Sequence, residues 1–152
     1  MAQMANFTWG QGEDLTIELI YKEGNTIETA TVVDLSSGYQ LRMDIVVPST
    51  KERVYTFNTA TLADVDPITP GSQPDNTLEG VLSSGAASSP NVVVSVPRSL
   101  TLPEGSIYQK MTDVPPVTSF NYDIFLRHVA SDKQVKILTG VITVEDSYTL
   151  WP

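Results

Sequence analysis

Cysteine is absent, so the chain carries neither a disulfide framework nor a cysteine metal site. That absence suits a reducing cytoplasm, or a particle assembled in one. Positive charge is scarce: nine Lys and Arg stand against eighteen Asp and Glu, a formal charge of −9. A globally acidic chain repels phosphate backbones, and its basic residues form no stripe, so no nucleic-acid partner is expected. Solubility alone accounts for the acidity. Long apolar runs are also lacking. None approaches the ~20 residues that a membrane helix needs, and stretches such as Val92-Val93-Val94 are of strand length, so no membrane role is expected. The segment Met1-Ala2-Gln3-Met4-Ala5-Asn6 has no basic start followed by an apolar core, so a secretory signal is not expected. Sustained helical periodicity is missing too, which excludes the amphipathic crossover helix of a βαβ unit.

What is present is alternation. With 152 residues, 41% apolar and 18% charged, the chain holds enough for one domain with one core and is too apolar for wholesale disorder. The clearest pattern runs from Thr118 to Val144. Phe120, Tyr122, Ile124 and Leu126 alternate with Asn121, Asp123 and Arg127; after the polar turn Ser131-Asp132-Lys133, Leu138, Ile142 and Val144 alternate with Thr139, Val141 and Thr143. Period-two alternation across a short turn predicts a long β-hairpin at the centre of a sheet. Its second face is also rather apolar, which predicts cover from a long loop or from another subunit.

Upstream, Phe7-Thr8-Trp9 starts a short strand. Leu15, Ile17, Leu19 and Tyr21 form one face of the next, with Ile20 as an exception. Thr29–Val33 is a weaker stretch, and Asp34–Gly38 makes a corner or one helical turn. Tyr39–Val47 points Leu41, Met43 and Ile45 inward, Arg53–Asn58 returns, and Asn91–Val96 is a further strand. Residues 60–90 are rich in Pro and Ser and are predicted as a long loop with a short edge strand at Leu78–Leu82. Arg98–Leu102 suits one helical turn, and Ser106–Val117 is predicted as irregular. The expected fold is therefore all-β: an immunoglobulin-like β-sandwich of seven to eight antiparallel strands, one domain over residues 1–152, with extended termini at 1–6 and 147–152.

Residues with chemical potential do not assemble into a catalytic or metal pattern. His128 is the single histidine, and no Gly-x-Ser-x-Gly elbow accompanies it. Asp64, Asp66 and Asp75 offer hard oxygens, but their spacing fits no EF-hand loop, and a solvated loop explains them. Glu13-Asp14 and Glu145-Asp146 are adjacent carboxylates with nothing tying them to the cleft that glycoside chemistry needs. Gly10, Gly12 and Gly24 form no phosphate loop. No enzyme activity, cofactor or metal is expected. The aromatics Trp9, Tyr39, Tyr55, Tyr108, Tyr148 and Trp151 suit either a sugar-stacking platform or core and interface anchors. The tail Tyr148-Thr149-Leu150-Trp151-Pro152 reads as a segment that docks on a neighbour.

Several strings, in order, resemble a family of phage virion β-sandwich domains. They are Asn6-Phe7-Thr8-Trp9-Gly10-Gln11-Gly12-Glu13-Asp14-Leu15-Thr16; Asp34-Leu35-Ser36-Ser37-Gly38-Tyr39 with Gln40-Leu41-Arg42-Met43; Leu102-Pro103-Glu104-Gly105; Tyr122-Asp123-Ile124; and Leu138-Thr139-Gly140-Val141-Ile142-Thr143-Val144. The set is similar to the N-terminal Ig-like module of upper baseplate and fibre-attachment proteins. Two departures are the Pro/Ser-rich insertion at 60–90 and the dozen residues Ser106–Val117. The resemblance implies a structural component of a tailed phage virion, assembled in the host cytoplasm; with the sequence ending soon after its last strand, no attached fibre domain is expected. It would bind other virion proteins and form homo-oligomers around a symmetry axis. A head decoration or head-to-tail connector protein, or a carbohydrate-binding module touching the host surface, are the alternatives. Candidate interface residues are Trp9, Phe125, Val129, Val141, Tyr148, Leu150 and Trp151.

Overall fold

The hairpin predicted over Thr118–Val144 is the middle of the larger sheet. The computed structural model describes residues 3–24, 26, 30–58, 80–82 and 90–150. In chain order these form β1 (Gln3–Met4), β2 (Phe7–Gly10), β3 (Leu15–Leu19), β4 (Lys22–Glu23), β5 (Thr31–Val32), β6 (Tyr39–Val46), β7 (Arg53–Asn58), β8 (Gly80–Leu82) and β9 (Val92–Val96). A 3-10 turn (Arg98–Thr101), a short helix α1 (Ser106–Met111), β10 (Ser119–His128) and β11 (Lys133–Glu145) follow. One sheet runs β1-β11-β10-β6-β7, with β2 also on β11; a second runs β3-β9-β8; β4 and β5 form a small ribbon. Eleven strands among the described residues exceed the seven or eight expected because β1, β4 and β5 are two-residue pieces that carry no alternation to read.

The alternation turns into burial as predicted. Phe120, Tyr122, Ile124 and Leu126 of β10 face Leu41, Met43 and Ile45 of β6, and Leu15, Ile17, Val92, Val94 and Val96 come from the second sheet to the same buried cluster. Ile20 is exposed, as its break in the pattern implies. Two register shifts add apolar residues that simple alternation places outside. Between Ile124 and Phe125 the pairing skips Ile137, so Ile137 and Leu138 are both buried. Between Ile45 and Val46 it skips Val54, so Val54 and Tyr55 are both buried. A bulge places two residues against one and re-aims the extra side chain.

On the second face of the hairpin, the bulge turns Ile137 inward. The rest lies on an outer face lined with ion pairs: Arg42–Asp44 (3.3 Å), Arg53–Asp44 (3.5 Å) and Lys136–Asp123 (3.5 Å). Phe125 sits there half-buried, with the Lys136 ammonium 5.5 Å above its ring.

The N-terminal chain closes the free edge of β11 by pairing parallel to it, β1 at Leu138–Thr139 and β2 at Ile142–Glu145. Between them, the Ala5 amide donates to the Thr139 carbonyl (2.9 Å), and the Val141 amide donates to Asn6 Oδ1 (3.0 Å). The Tyr122 hydroxyl donates to the Ala5 carbonyl (2.6 Å). Gly140 makes this approach possible, because a Cβ there would run into the Ala5 carbonyl oxygen.

The fold has two unlike ends. At the helix end lie the turn 47–52, the 3-10 turn, α1 and the chain after β11. At the loop end lie Gly38, the hairpin turn 129–132 and the β3–β4 connection. Helix α1 falls in the stretch predicted as irregular. Its six residues start at Gly105 with no side-chain cap, so it carries neither length nor a start signal. Tertiary contacts hold it: Lys110 reaches Glu52 at 2.7 Å, and Ile107 is fully buried. Replacing Gly140 with Ala should cost roughly 2–3 kcal/mol, the upper part of the range for overpacking, since backbone is the neighbour and cannot rotate away. Denaturant midpoints check it. An unchanged midpoint would show that the N-terminal chain does not sit on β11 as described.

Candidate functional site

A cleft of about 240 Å³ opens at the loop end, lined by Tyr21, Glu23, Tyr39, Leu126, His128, Lys133 and Val135. Strand register explains one wall. Tyr39, His128 and Lys133 are a cross-strand row at the end of β6, β10 and β11. Two residues deeper, Leu126 pairs with Val135 and forms the apolar floor. The Tyr39 and His128 rings lie 5.0 Å apart, tilted by 52°. The turn beneath them is fixed by the Val129 amide donating to the Gly38 carbonyl (3.0 Å) and by Arg127 Nε on Asp132 (2.8 Å). The Arg127 hydrogen bond, with a second from Gln134, holds the Asp132 carboxyl below the usual carboxylate range. His128 Nδ1 lies 2.8 Å from Ser131 Oγ.

The opposite wall comes from the end of β3. A fully buried Asn91 holds it: the Tyr21 amide donates to Asn91 Oδ1 (2.6 Å), and Asn91 Nδ2 donates to the carbonyls of Tyr21 (3.0 Å) and Val33 (2.8 Å). This side chain does the work of a strand where β3 and β5 part, leaving none of those backbone groups orphaned. Tyr21 therefore projects at a set angle. Its hydroxyl donates to Glu23 Oε1 (2.9 Å). Burial first, then the Glu23 hydrogen bond and charge, push the Tyr21 hydroxyl up to about 12, so it stays a donor. Among the described residues neither Glu23 nor Lys133 enters an ion pair.

The residues singled out from sequence are dispersed. Trp9 is 1% exposed and belongs to the core, its indole donating to the Glu13 carbonyl (2.6 Å), so it offers no surface to a partner. Phe125 and Val141 lie half-buried on the outer face of the large sheet. Val129 is 44% exposed in the hairpin turn. Tyr148 is fully exposed at the helix end. Leu150 folds back on its own chain, where any Cβ at Gly12 would press to 2.9 Å from Leu150 Cδ2. Trp151 lies outside the described residues, as do Asp64, Asp66 and Asp75. Of the five described aromatics considered for a sugar platform, only Tyr39 lines the cleft; Tyr55 is core and Tyr108 sits on α1. Tyr21, Glu23 and Lys133 were not singled out. A usable signal was present for Glu23 and Lys133, since each stands at a strand end beside a turn. Of the adjacent acids, Asp14 accepts from the Arg98 amide (2.9 Å) and so has a structural task.

The helix end is tied by Gln11. Its Nε2 donates to the Thr101 carbonyl (3.1 Å), while the Ser147 amide donates to its Oε1 (3.2 Å) and the Ser147 hydroxyl to its carbonyl (2.7 Å). Gly12, at φ +83°, donates its amide to Thr101 Oγ1 (2.9 Å). One glutamine thus joins the N-terminal strand, the 3-10 turn and the chain after β11. Among the described residues no group of three or more His, Asp or Glu side chains is placed to hold a metal ion, and no helix is long and apolar enough to cross a membrane. No protein-family model matches this chain, and no curated protein matches it in sequence.

Tyr122 behaves as Tyr21 does: burial first, then the Asp123 charge, push its hydroxyl up to about 12. Both folded values lie above the ordinary 10.0, so folding is favoured by holding these protons. That contribution is complete below pH 10 and is lost as pH rises toward 12. In a spectroscopic titration of tyrosinate, Tyr21 and Tyr122 should ionise late, toward pH 12, and Tyr21→Phe should remove one late step. Ionisation of both near 10 would contradict it.

Proposed function

We propose that this chain is an Ig-like sandwich that serves as a structural component of a tailed phage virion, in the tail, baseplate or fibre attachment, and works by protein–protein assembly. In an Ig-like domain one sheet carries the second, fifth and fourth strands side by side, and the other carries the third, sixth and seventh with an added edge strand. The orders β3-β9-β8 and β11-β10-β6-β7 fit that scheme. The strings that resemble the phage family also fall at the joints. Trp9–Gly12 builds the core and the Gln11 tie; Leu102–Gly105 links the 3-10 turn to α1; Leu138–Val144 receives the N-terminal chain.

The observation that carries the assembly reading is at the helix end. Val114 is 98% exposed in the loop after α1, and Tyr148 is fully exposed after β11. Both stand on a frame held by Gln11 and by the Lys110–Glu52 pair. Large apolar side chains presented on rigid backbone bind with little ordering cost, and tyrosine is enriched at interface anchors. Partners are other virion proteins and copies of this chain. The same surface would serve a head decoration or connector protein.

Val114→Ser with Tyr148→Ser tests the reading in a complementation assay, with the variant supplied to a phage lacking the native chain. Both sites are exposed, so the melting temperature should not move, while incorporation into particles should fall by at least ~10-fold, the effect of losing one modest interface anchor. Normal incorporation of the folded variant would overturn the assignment of this end as the docking surface.

A further inference from the structure

We infer that the loop-end cleft formed by Tyr21, Glu23, Tyr39, His128 and Lys133 over the Leu126–Val135 floor is a binding site for one ring of a neutral saccharide. This site is separate from the assembly surface at the helix end and does not rest on that reading. Its size comes first. About 240 Å³ lies below the roughly 300–1,000 Å³ typical of drug-sized ligands, so the cleft takes a single ring with its substituents.

Its chemistry comes second. Glu23 and Lys133 contribute one charge of each sign to the lining, so neither sign of ligand charge is favoured by this pair. The polar groups are instead acceptors and one donor set around aromatic faces. The Tyr21 hydroxyl gives its one proton to a Glu23 oxygen, which leaves the other Glu23 oxygen and the Tyr21 oxygen as acceptors; the Lys133 ammonium is the donor. A pyranose presents an apolar C–H face and a rim of hydroxyls that both donate and accept. The C–H face fits against Tyr39 and His128, whose rings are held 5.0 Å apart by strand register, and the rim reaches Glu23 and Lys133. An ammonium or guanidinium ligand would meet Lys133, and a carboxylate or phosphate would meet Glu23.

Its preorganisation comes third. Asn91 fixes Tyr21, the Val129–Gly38 bond fixes the hairpin turn, and Tyr39 and His128 stand on central strands. Little has to be ordered on binding.

The test uses the full chain, isotope-labelled, with methyl glycosides of glucose, galactose, mannose and N-acetylglucosamine as probes and arginine amide and acetate as ionic controls. At least one glycoside should give saturable shifts of the amides of 21, 23, 39, 128 and 133, with a dissociation constant of about 1 mM or weaker for one ring. Glu23→Gln, an exposed change that leaves the fold intact, should weaken binding about 10-fold by removing the charged acceptor, and Tyr39→Ala should do so by removing the stacking face. Tyr148→Ala should change nothing. A second arm compares free glycoside with immobilised bacterial cell-wall polysaccharide. Binding of the glycoside alone assigns a free sugar, and tighter retention on the polysaccharide assigns a surface glycan; either supports the site. The absence of saturable shifts with every glycoside, shifts unaffected by both cleft variants, or saturation by arginine amide or acetate alone would overturn it.

Discussion

The parallel pairing of the N-terminal chain with β11 is the constraint on which most of this molecule depends. Without it, the thirteen-residue β11 would present one edge of unpaired amides and carbonyls, a template for association with any other strand. The pairing requires a backbone approach that only residue 140 without a side chain allows. It also sets the positions of two buried aromatics. Tyr122 finds its hydrogen-bond acceptor at Ala5, and Trp9 enters the core from β2. From β2 the chain runs directly into Gln11, which gathers the 3-10 turn and the residues after β11. A glycine in one strand thereby governs how the helix end is closed.

The two ends solve the same problem in opposite ways. Where the sheets end, backbone groups lose their ladder partners and need others. At the helix end Gln11 and Thr101 supply them, and the end is shut by a short helix and the folded-back chain after β11. Outside it, Val114 and Tyr148 are exposed among polar residues such as Glu104, Asp113 and Asp146, which suits docking. At the loop end Asn91 supplies the partners from within, and that frees the sheets to part. The gap becomes a cleft with aromatic walls. Removing Asn91's amide would strand the Tyr21 amide and the Val33 carbonyl, at about 1–3 kcal/mol for each buried group, and would release Tyr21 from its wall.

Much of the architecture was legible because alternation is a local signal. The faces of β3, β6 and β10 follow from period-two patterning alone, and the hairpin follows from two such runs around a turn. Three features were not legible. The bulges at Val54 and Ile137 break the period, so alternation alone does not place these two side chains in the core. Helix α1 is too short to show a moment and is held by Glu52 and the core rather than by propensity. The cleft gathers residues from 21 to 135 through register, which no window along the chain contains. The Gln11 and Asn91 ties were hidden for the same reason: a buried polar side chain looks like a turn residue until its distant partners are known. The prominence of Trp9 as a surface candidate came from residue type alone, and its burial shows how little residue type says about which face a short strand presents.

Native-state hydrogen exchange tests the central claim directly. If the N-terminal chain is an integral strand, the amides of Ala5, Gln11 and Val141 should exchange only with the global opening that releases Ile124 and Tyr122 of β10. Exchange of those three amides at the rate of the exposed hairpin turn, far ahead of β10, would contradict it.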